Sequence, residues 1–335
     1  MKRIKARVIL SKRKGQLLLD GLVSWLKCHS FPGFFGIPIY DVGQFFFNEL
    51  RKDDPFMRAN AVAFSFFLSL FPAIITLFTL LPYFQVYESF SVTLHETVRG
   101  IMPGTAGDWL LEFLNDIATR ERRGLLSFST LMFLLFSTSG TATLMYSFEK
   151  KYPEIFKDRH PLMVRWIALW LTVVLAILVV LSIVLTIAGN ALLQLLGDYM
   201  SLDWFAKSAL EGFRWLLVLS MFYVSISLLY RYGAPTHRKF GFFSTGATVA
   251  TILAIASSVL FSFYINSFGT YNKLYGSIGT IIALMLWLQI NAFSIISGYE
   301  LNTAILFHRI SAKLKRQKAL EETNLLDKIN TNPPL

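Results

Sequence analysis

Glu300 stands where a carboxylate is costly. The stretch IIALMLWLQINAFSIISGYELNTAILFHR (281–309) opens as an apolar helix and then gathers Gln289, Asn291, Ser294, Gly298, Glu300 and Asn302. In an apolar setting such residues either hydrogen-bond between helices or line a path for a polar solute or a proton. At 100° per residue, Asn291, Ser294, Gly298 and Asn302 fall in a stripe about 80° wide, and Gln289 and Glu300 align within about 20° of each other. A stripe so ordered turns away from lipid and into the protein. With a span starting at Gly276, Asn291 lies about 22 Å in and Glu300 about 36 Å in, beside the far headgroups. Glu300 is therefore read as a structural ion pair or capping group, with Arg231 or His308 as partner, or as a proton-coupling charge.

Other chemistry is hard to place. The histidines His29, His95, His160, His237 and His308 are scattered, with no two at metal-ligand spacing. No H-E-x-x-H, G-x-S-x-G or Walker A sequence occurs. A metal-dependent nuclease needs clustered carboxylates. Asp53-Asp54 is the nearest approach, and an adjacent pair suits a helix start or a solvated turn. Cys28 is the sole cysteine, so no intrachain disulfide forms. The sequence thus points to no catalytic residue, no metal and no cofactor.

The elements that must position the stripe follow from composition. The chain has 335 residues, 54% hydrophobic and 16% charged, with mean hydropathy +0.51; a soluble domain carries about 25% charged residues. WIALWLTVVLAILVVLSIVLTI (166–187) is uncharged and, at about 1.5 Å per residue, crosses a hydrocarbon core of about 30 Å. Six runs qualify, roughly Asn60–Tyr83, Leu125–Phe148, Leu162–Gly189, Phe213–Tyr232, Phe242–Asn266 and Gly276–Phe307. The fold class is all-α: a polytopic membrane bundle of six transmembrane helices. Lys and Arg are concentrated before residue 60, in 149–165, in 231–241 and after Phe307, which together hold 25 of the 32. Basic residues collect on the cytoplasmic side, so both termini are expected there. The net charge of +11 is then topology rather than a nucleic-acid footprint.

The chain divides into a basic, aromatic cytoplasmic segment (1–59), the six-helix domain (60–307) and a basic, then polar, tail (308–335) whose composition suggests disorder. KRIKARVILSKRK suits anionic lipid headgroups. FPGFFGIPIYDVGQFFFNELRKDD reads as short interfacial helices or as a cap packed on the bundle. In the first external loop, Trp109, Phe113 and Ile117 share an amphipathic helical face, which suits a helix on the outer surface or a lid. Pro72 lies inside the first span and is expected to kink it. The second span holds FSTSGTAT (136–143), with Ser137 and Thr141 as candidate lining or close-packing residues.

Three stretches carry a resemblance: RANAVAFSFFLSLFPAIITL (58–77), YRYGAPTHRKFGFFSTGA (230–247) and FSFYINSFGTYNKLYGSIGTIIALMLWLQINAFSIISGYELNTAI (261–305). Together they resemble the YihY/BrkB family of bacterial inner-membrane proteins, once labelled ribonuclease BN. Tyr264, Tyr271, Tyr275-Gly276-Ser277, Gly279, Trp287, Gly298, Glu300 and Asn302 match its pattern most closely. The second span of that family usually ends with an Asn near the place where this chain has Glu149. The resemblance implies six helices, cytoplasmic termini and an inner-membrane location, but no established substrate. The reading is a transporter-like protein for a lipid, an amphiphile or a small solute, with the stripe lining a polar cavity between the sixth and second spans. The alternative is a non-transporting scaffold or envelope-integrity factor, and nuclease activity comes last. Substrate and oligomeric state are not legible.

Overall fold

The computed structural model describes residues 21, 23–84, 111–112, 115–116, 122–199, 204–267 and 269–331. Among these the regular structure is helical, and the one extended pairing is an isolated bridge between Phe156 and Thr236. The long helices are α1 (Ile39–Lys52), α2 (Pro55–Phe84), α3 (Arg123–Tyr146), α4 (Pro161–Tyr199), α5 (Trp204–Leu228, closed by a π turn at Leu229–Gly233), α6 (Thr245–Ser267) and α7 (Gly269–Thr331). Six stretches are long and apolar enough to cross a membrane: Pro55–Leu80, Arg123–Tyr146, Pro161–Thr186, Ser208–Gly233, Thr245–Phe263 and Ile281–Lys318. These are the six runs expected from the sequence, with shifted ends.

Lipid offers no hydrogen bonds, so each span must close its own backbone ladder. Many hydroxyls within the spans follow the same rule by returning to their own helix. Ser65 donates to the Ala61 carbonyl, Thr76 to Pro72, Thr143 to Ser139, Ser182 to Leu178 and Thr186 to Ser182, at 2.8–2.9 Å. In the Ser/Thr-rich run 136–143 this holds for Thr143, while Thr141 turns to Thr172 of the neighbouring helix. α2 is assigned as one helix through Pro72. Large apolar side chains on the outer faces, including Trp166, Ile177, Leu216 and Leu260, are exposed. On a spanning helix these are the groups that meet lipid.

The core lies toward one end of the bundle, the end that carries residues 39–59, 147–160 and 234–244 and is rich in Lys and Arg. Leu144, Phe148, Leu171, Ile226, Tyr230, Ile296 and Tyr299 are fully buried there. The Phe148 and Tyr299 rings stack at 4.2 Å. Both tyrosine hydroxyls find backbone acceptors: Tyr299 donates to the Phe148 carbonyl at 2.7 Å and Tyr230 to that of Ile295 at 2.5 Å. The Arg159 guanidinium donates to the carbonyls of Tyr232, Gly233 and Ala234, which the π turn leaves without helical partners.

α1 packs on α7 at this end. Phe34, Val42, Ala304 and Ile305 form a small buried cluster, Phe45 stacks on Phe307 at 4.5 Å, and the His308 Nε2 lies 3.1 Å from the Asp41 carbonyl. The tail, read from its composition as disordered, continues α7 as far as Thr331. Starting a helix is the unfavourable step, and α7 arrives already formed; no Gly or Pro follows Gly298 until Pro333, so polar helix formers propagate it. The N-terminal basic cluster and most of the amphipathic external segment, including Trp109, Phe113 and Ile117, lie outside the described residues.

Candidate functional site

The connection between α1 and α2 is built by KDDP (52–55). Asp54 adopts the left-handed region, with φ of 38°, which Asp tolerates better than most side chains. Its Oδ1 accepts from the Met57 N–H at 3.3 Å, while Pro55 begins α2, where a missing N–H is harmless. Of the adjacent acid pair, Asp54 is thus the helix start, while Asp53 closes α1. The sharp turn leaves Asp53 pointing elsewhere, next to Glu49 from α1 and Arg58 from α2.

Into this corner the segment after α3 inserts Lys150. Its ammonium reaches Glu300 Oε1 of α7 at 2.8 Å and Glu49 Oε2 at 3.2 Å, and also pairs with Asp53. Arg58 reaches Asp53 at 3.2 Å, Glu300 Oε1 at 3.7 Å and the Ser147 carbonyl at 3.0 Å. The Tyr152 hydroxyl donates to Glu49 Oε1 at 2.8 Å. The side chains of Lys150, Glu49 and Glu300 are only 2%, 4% and 2% exposed. Three parts of the chain that are distant in sequence meet here through charge: the α1–α2 corner, the segment after α3, and α7.

The environment shifts the groups at the edge of the bundle. Burial pushes the Asp53 carboxyl up, but Lys150 and Arg58 outweigh it and hold it below its ordinary value. Burial pushes Lys150 down, but Glu300 and Asp53 outweigh it and hold the ammonium above the usual lysine range. Burial and the carboxylate of Glu49 push the Tyr152 phenol up to about 12. The cluster contains three carboxylates, Glu49, Asp53 and Glu300, against two buried or half-buried cations. The remaining cation in contact, Lys52, lies 3.5 Å from Glu49 with its side chain 67% exposed. Glu300 Oε2 is buried without a hydrogen-bond partner.

The expected pairing of Glu300 with Arg231 or His308 is therefore corrected: its partners are Lys150 and Arg58. Arg231 donates to the Phe240 carbonyl at 3.0 Å and lies over the Phe242 ring, and His308 is held by α1. The wheel turned Glu300 inward, but no local pattern distinguishes Lys150 from the other cations at that end. Arg58, Glu49 and Tyr152 were missed for the same reason. The one signal was the need of a buried carboxylate for a cation.

The polar stripe is distributed differently from the expectation. Asn291 donates to the Trp287 carbonyl at 2.8 Å and Ser294 to that of Ile290 at 2.9 Å, both within α7. Gly298 meets Gly246 of α6 so closely that a Cβ on either would collide with the other's carbonyl. Asn302 accepts from the Gly246 N–H at 2.7 Å and donates to Ser244 at 2.9 Å, so it caps the start of α6. Gln289 is half-buried. In the second span Thr141 bonds Thr172 of α4 at 2.9 Å, and Ser137 is buried. The candidate residues of the sixth and second spans are not brought together: Gly298 and Asn302 address α6 and Thr141 addresses α4. Among the described residues no group of three His, Cys, Asp or Glu is arranged to hold a metal ion. The carboxylates that do converge are filled by the Lys150 ammonium.

A family model described as Virulence factor BrkB matches residues 46–323, which includes all six spans and every member of the cluster. The chain is 28% identical over 271 residues to YfkH of Bacillus subtilis, whose name calls it ribonuclease-like; the match covers 80% of this chain and 92% of that one. It is 26% identical over 269 residues to the UPF0761 membrane protein IL2447 of Idiomarina loihiensis, covering 78% and 89%. It is 23% identical over 252 residues to a UPF0761 membrane protein of Coxiella burnetii, covering 74% and 87%. No solved structure matches.

Proposed function

The chain belongs to the BrkB family of membrane proteins, and from that premise we propose that it is a transporter-like module for a lipid, an amphiphile or a small solute, seated in the bacterial inner membrane with both termini in the cytoplasm. The observation that carries this is the Glu300 carboxylate, which is 2% exposed at the end of a span and has one oxygen without a partner. A buried charge with an unsatisfied oxygen is costly, and taking up a proton removes it. Protonating Glu300 removes the charge that holds Lys150 against α7, so one proton weakens the ionic part of the contact that α7 makes with α1, α2 and the segment after α3. Ionisable groups at the end of a span that trade protons and helix contacts are what coupled transport requires. On this reading the N-terminal basic cluster rests on anionic headgroups.

A second reading, a scaffold or envelope-integrity factor, is favoured by the Gly246–Gly298 crossing and by stripe hydrogen bonds that are satisfied within the bundle. Nuclease chemistry is the least supported, because Lys150 already occupies the carboxylates that a divalent ion would need.

Cysteines placed singly at Asn291 and Ser294, in a Cys28→Ser background, separate the two. They are exposed to a water-soluble thiol reagent in the otherwise native chain and in Glu300→Gln, which stands for the protonated carboxyl. A transporter gated by the cluster reacts faster in Glu300→Gln. Protection at both positions in both backgrounds, in folded protein, removes the transporter reading and leaves the scaffold.

A further inference from the structure

A hollow of about 660 Å³ lies at the basic end of the bundle, away from the ionic cluster, between the α5–α6 loop, the Gly33–Phe35 turn and the part of α7 beyond the Glu300 turn. Its charge is one-sided. Arg238 and Lys239 come from the loop, and Arg309 and Lys313 from successive turns of α7; Glu154, exposed, is the one carboxylate in the lining. None of the four cations forms an ion pair among the described residues. Lys239 lies 4.7 Å from the Tyr232 ring centre and Arg309 4.4 Å from that of Phe35, contacts that orient the cations without neutralising them. Arg238 and Lys313 bond no group among the described residues. Like charges four residues apart on a helix repel, so Arg309 and Lys313 work against the fold unless something anionic joins them.

The positive end of α6 adds to this field. Two of its first N–H groups, those of Gly246 and Ala247, are already taken by Asn302 and Ser244, so the helix contributes chiefly its dipole while the side chains supply the donors. Beside the hollow the surface is apolar. Phe243 is 94% exposed, and Ile252, Val259, Leu260 and Phe263 continue along α6 as exposed groups.

We infer that this hollow is a binding site for a phosphate group, held by Arg238, Lys239, Arg309 and Lys313, with the apolar face of α6 placed to receive the acyl chains when the phosphate belongs to a lipid. Guanidinium and ammonium groups together match a phosphate: the first by paired donors, the second as a point charge. The site stands whether or not the chain moves a solute, because it needs only binding.

The test uses the full chain, purified in a neutral detergent, with dioctanoyl phosphatidic acid, dioctanoyl phosphatidylcholine and inorganic phosphate as probes in calorimetric titrations. Phosphatidic acid is expected to bind about tenfold tighter than phosphatidylcholine, and Arg238→Gln/Lys313→Gln to weaken it about tenfold. Both positions are exposed, so the variant keeps its fold, as size-exclusion and thermal unfolding will verify. Arg165→Gln, an exposed cation at the same end of the bundle but outside the hollow, leaves affinity unchanged. Inorganic phosphate that binds as tightly as phosphatidic acid and displaces it assigns the site to free phosphate; weaker binding assigns it to a lipid headgroup. Equal binding of phosphatidylcholine and phosphatidic acid, or a double variant that binds like the parent, overturns the inference. Thiol protection at Asn291 and Ser294 would end the transporter reading without touching this one.

Discussion

The Lys150 ammonium sits 2.8 Å from Glu300 Oε1, with both side chains only 2% exposed, although 150 positions separate them in the chain. A charge buried this deeply is tolerated only in company. Lys150 also serves Glu49 and Asp53, so its removal takes a cation from three carboxylates at once. Lys150→Met is expected to destabilise the protein by about 3–5 kcal/mol. Lys150→Met/Glu300→Leu should lose less than the sum of the two single variants, by more than about 1 kcal/mol. Unfolding in mild detergent, followed by denaturant titration, reads both quantities. Strictly additive single and double variants would mean that the pair holds nothing together.

The same cluster sets a pH window. The Asp53 carboxyl is held below its ordinary 3.8, so its contribution is present above that value and is lost as pH falls through the lower, folded value. Lys150 is held above its ordinary 10.5, so its contribution is full below that pH and disappears as pH rises through the higher, folded value. The Tyr152 phenol, raised from 10.0 to about 12, adds a loss between those values. Unfolding midpoints should therefore hold level between about pH 5 and about pH 9 and fall on both sides. In Lys150→Met the alkaline fall should shrink. An alkaline limb of unchanged size in that variant would assign it to other groups.

Charge asymmetry makes a separate prediction for topology. Reporter fusions after Lys151, Lys239 and Lys318 are expected to read as cytoplasmic, and fusions near Asp116, Asp203 and Lys273 as external. The first three sites follow or adjoin the Lys- and Arg-rich segments; the others lie in the connections that hold the remaining few cations. An external reading at Lys318 would invert the molecule and move the ionic cluster to the opposite face of the membrane.

What the sequence disclosed was whatever depends on one helix at a time. The uncharged run 166–187 has no alternative to a span, and the angular alignment of Gln289 with Glu300 turned Glu300 inward. Asp54 as a helix start follows from its place before Pro55. What stayed hidden depends on two helices. Asn302 had the composition of a cavity residue but spends its amide on the first turn of α6. Lys150 is one basic residue among many at its end of the bundle, and only the fold of the segment after α3 selects it. The helical tail was missed because composition measures the tendency to begin a helix, whereas α7 enters the tail already formed.

The crossing of α6 over α7 gives the last prediction. Gly246 and Gly298 bring two backbones into contact, and a methyl group on Gly246 would meet the Gly298 carbonyl and the Asn302 amide. Backbone cannot swing aside as a long side chain can, so the helices must part. Parting them breaks the Gly246 N–H bond to Asn302 and loosens the cap of α6. Gly246→Ala is therefore expected to cost about 2–3 kcal/mol through overpacking, against the roughly 1 kcal/mol that Ala normally gains over Gly inside a helix. Gly212→Ala is the matched control, since nothing lies within 4 Å of the added methyl on α5; it should be neutral or slightly stabilising. Thermal unfolding of the three proteins in one detergent makes the comparison. If Gly246→Ala unfolds with Gly212→Ala and the parent, the two helices do not touch at this point, and the hollow beside Asn302 has a different wall.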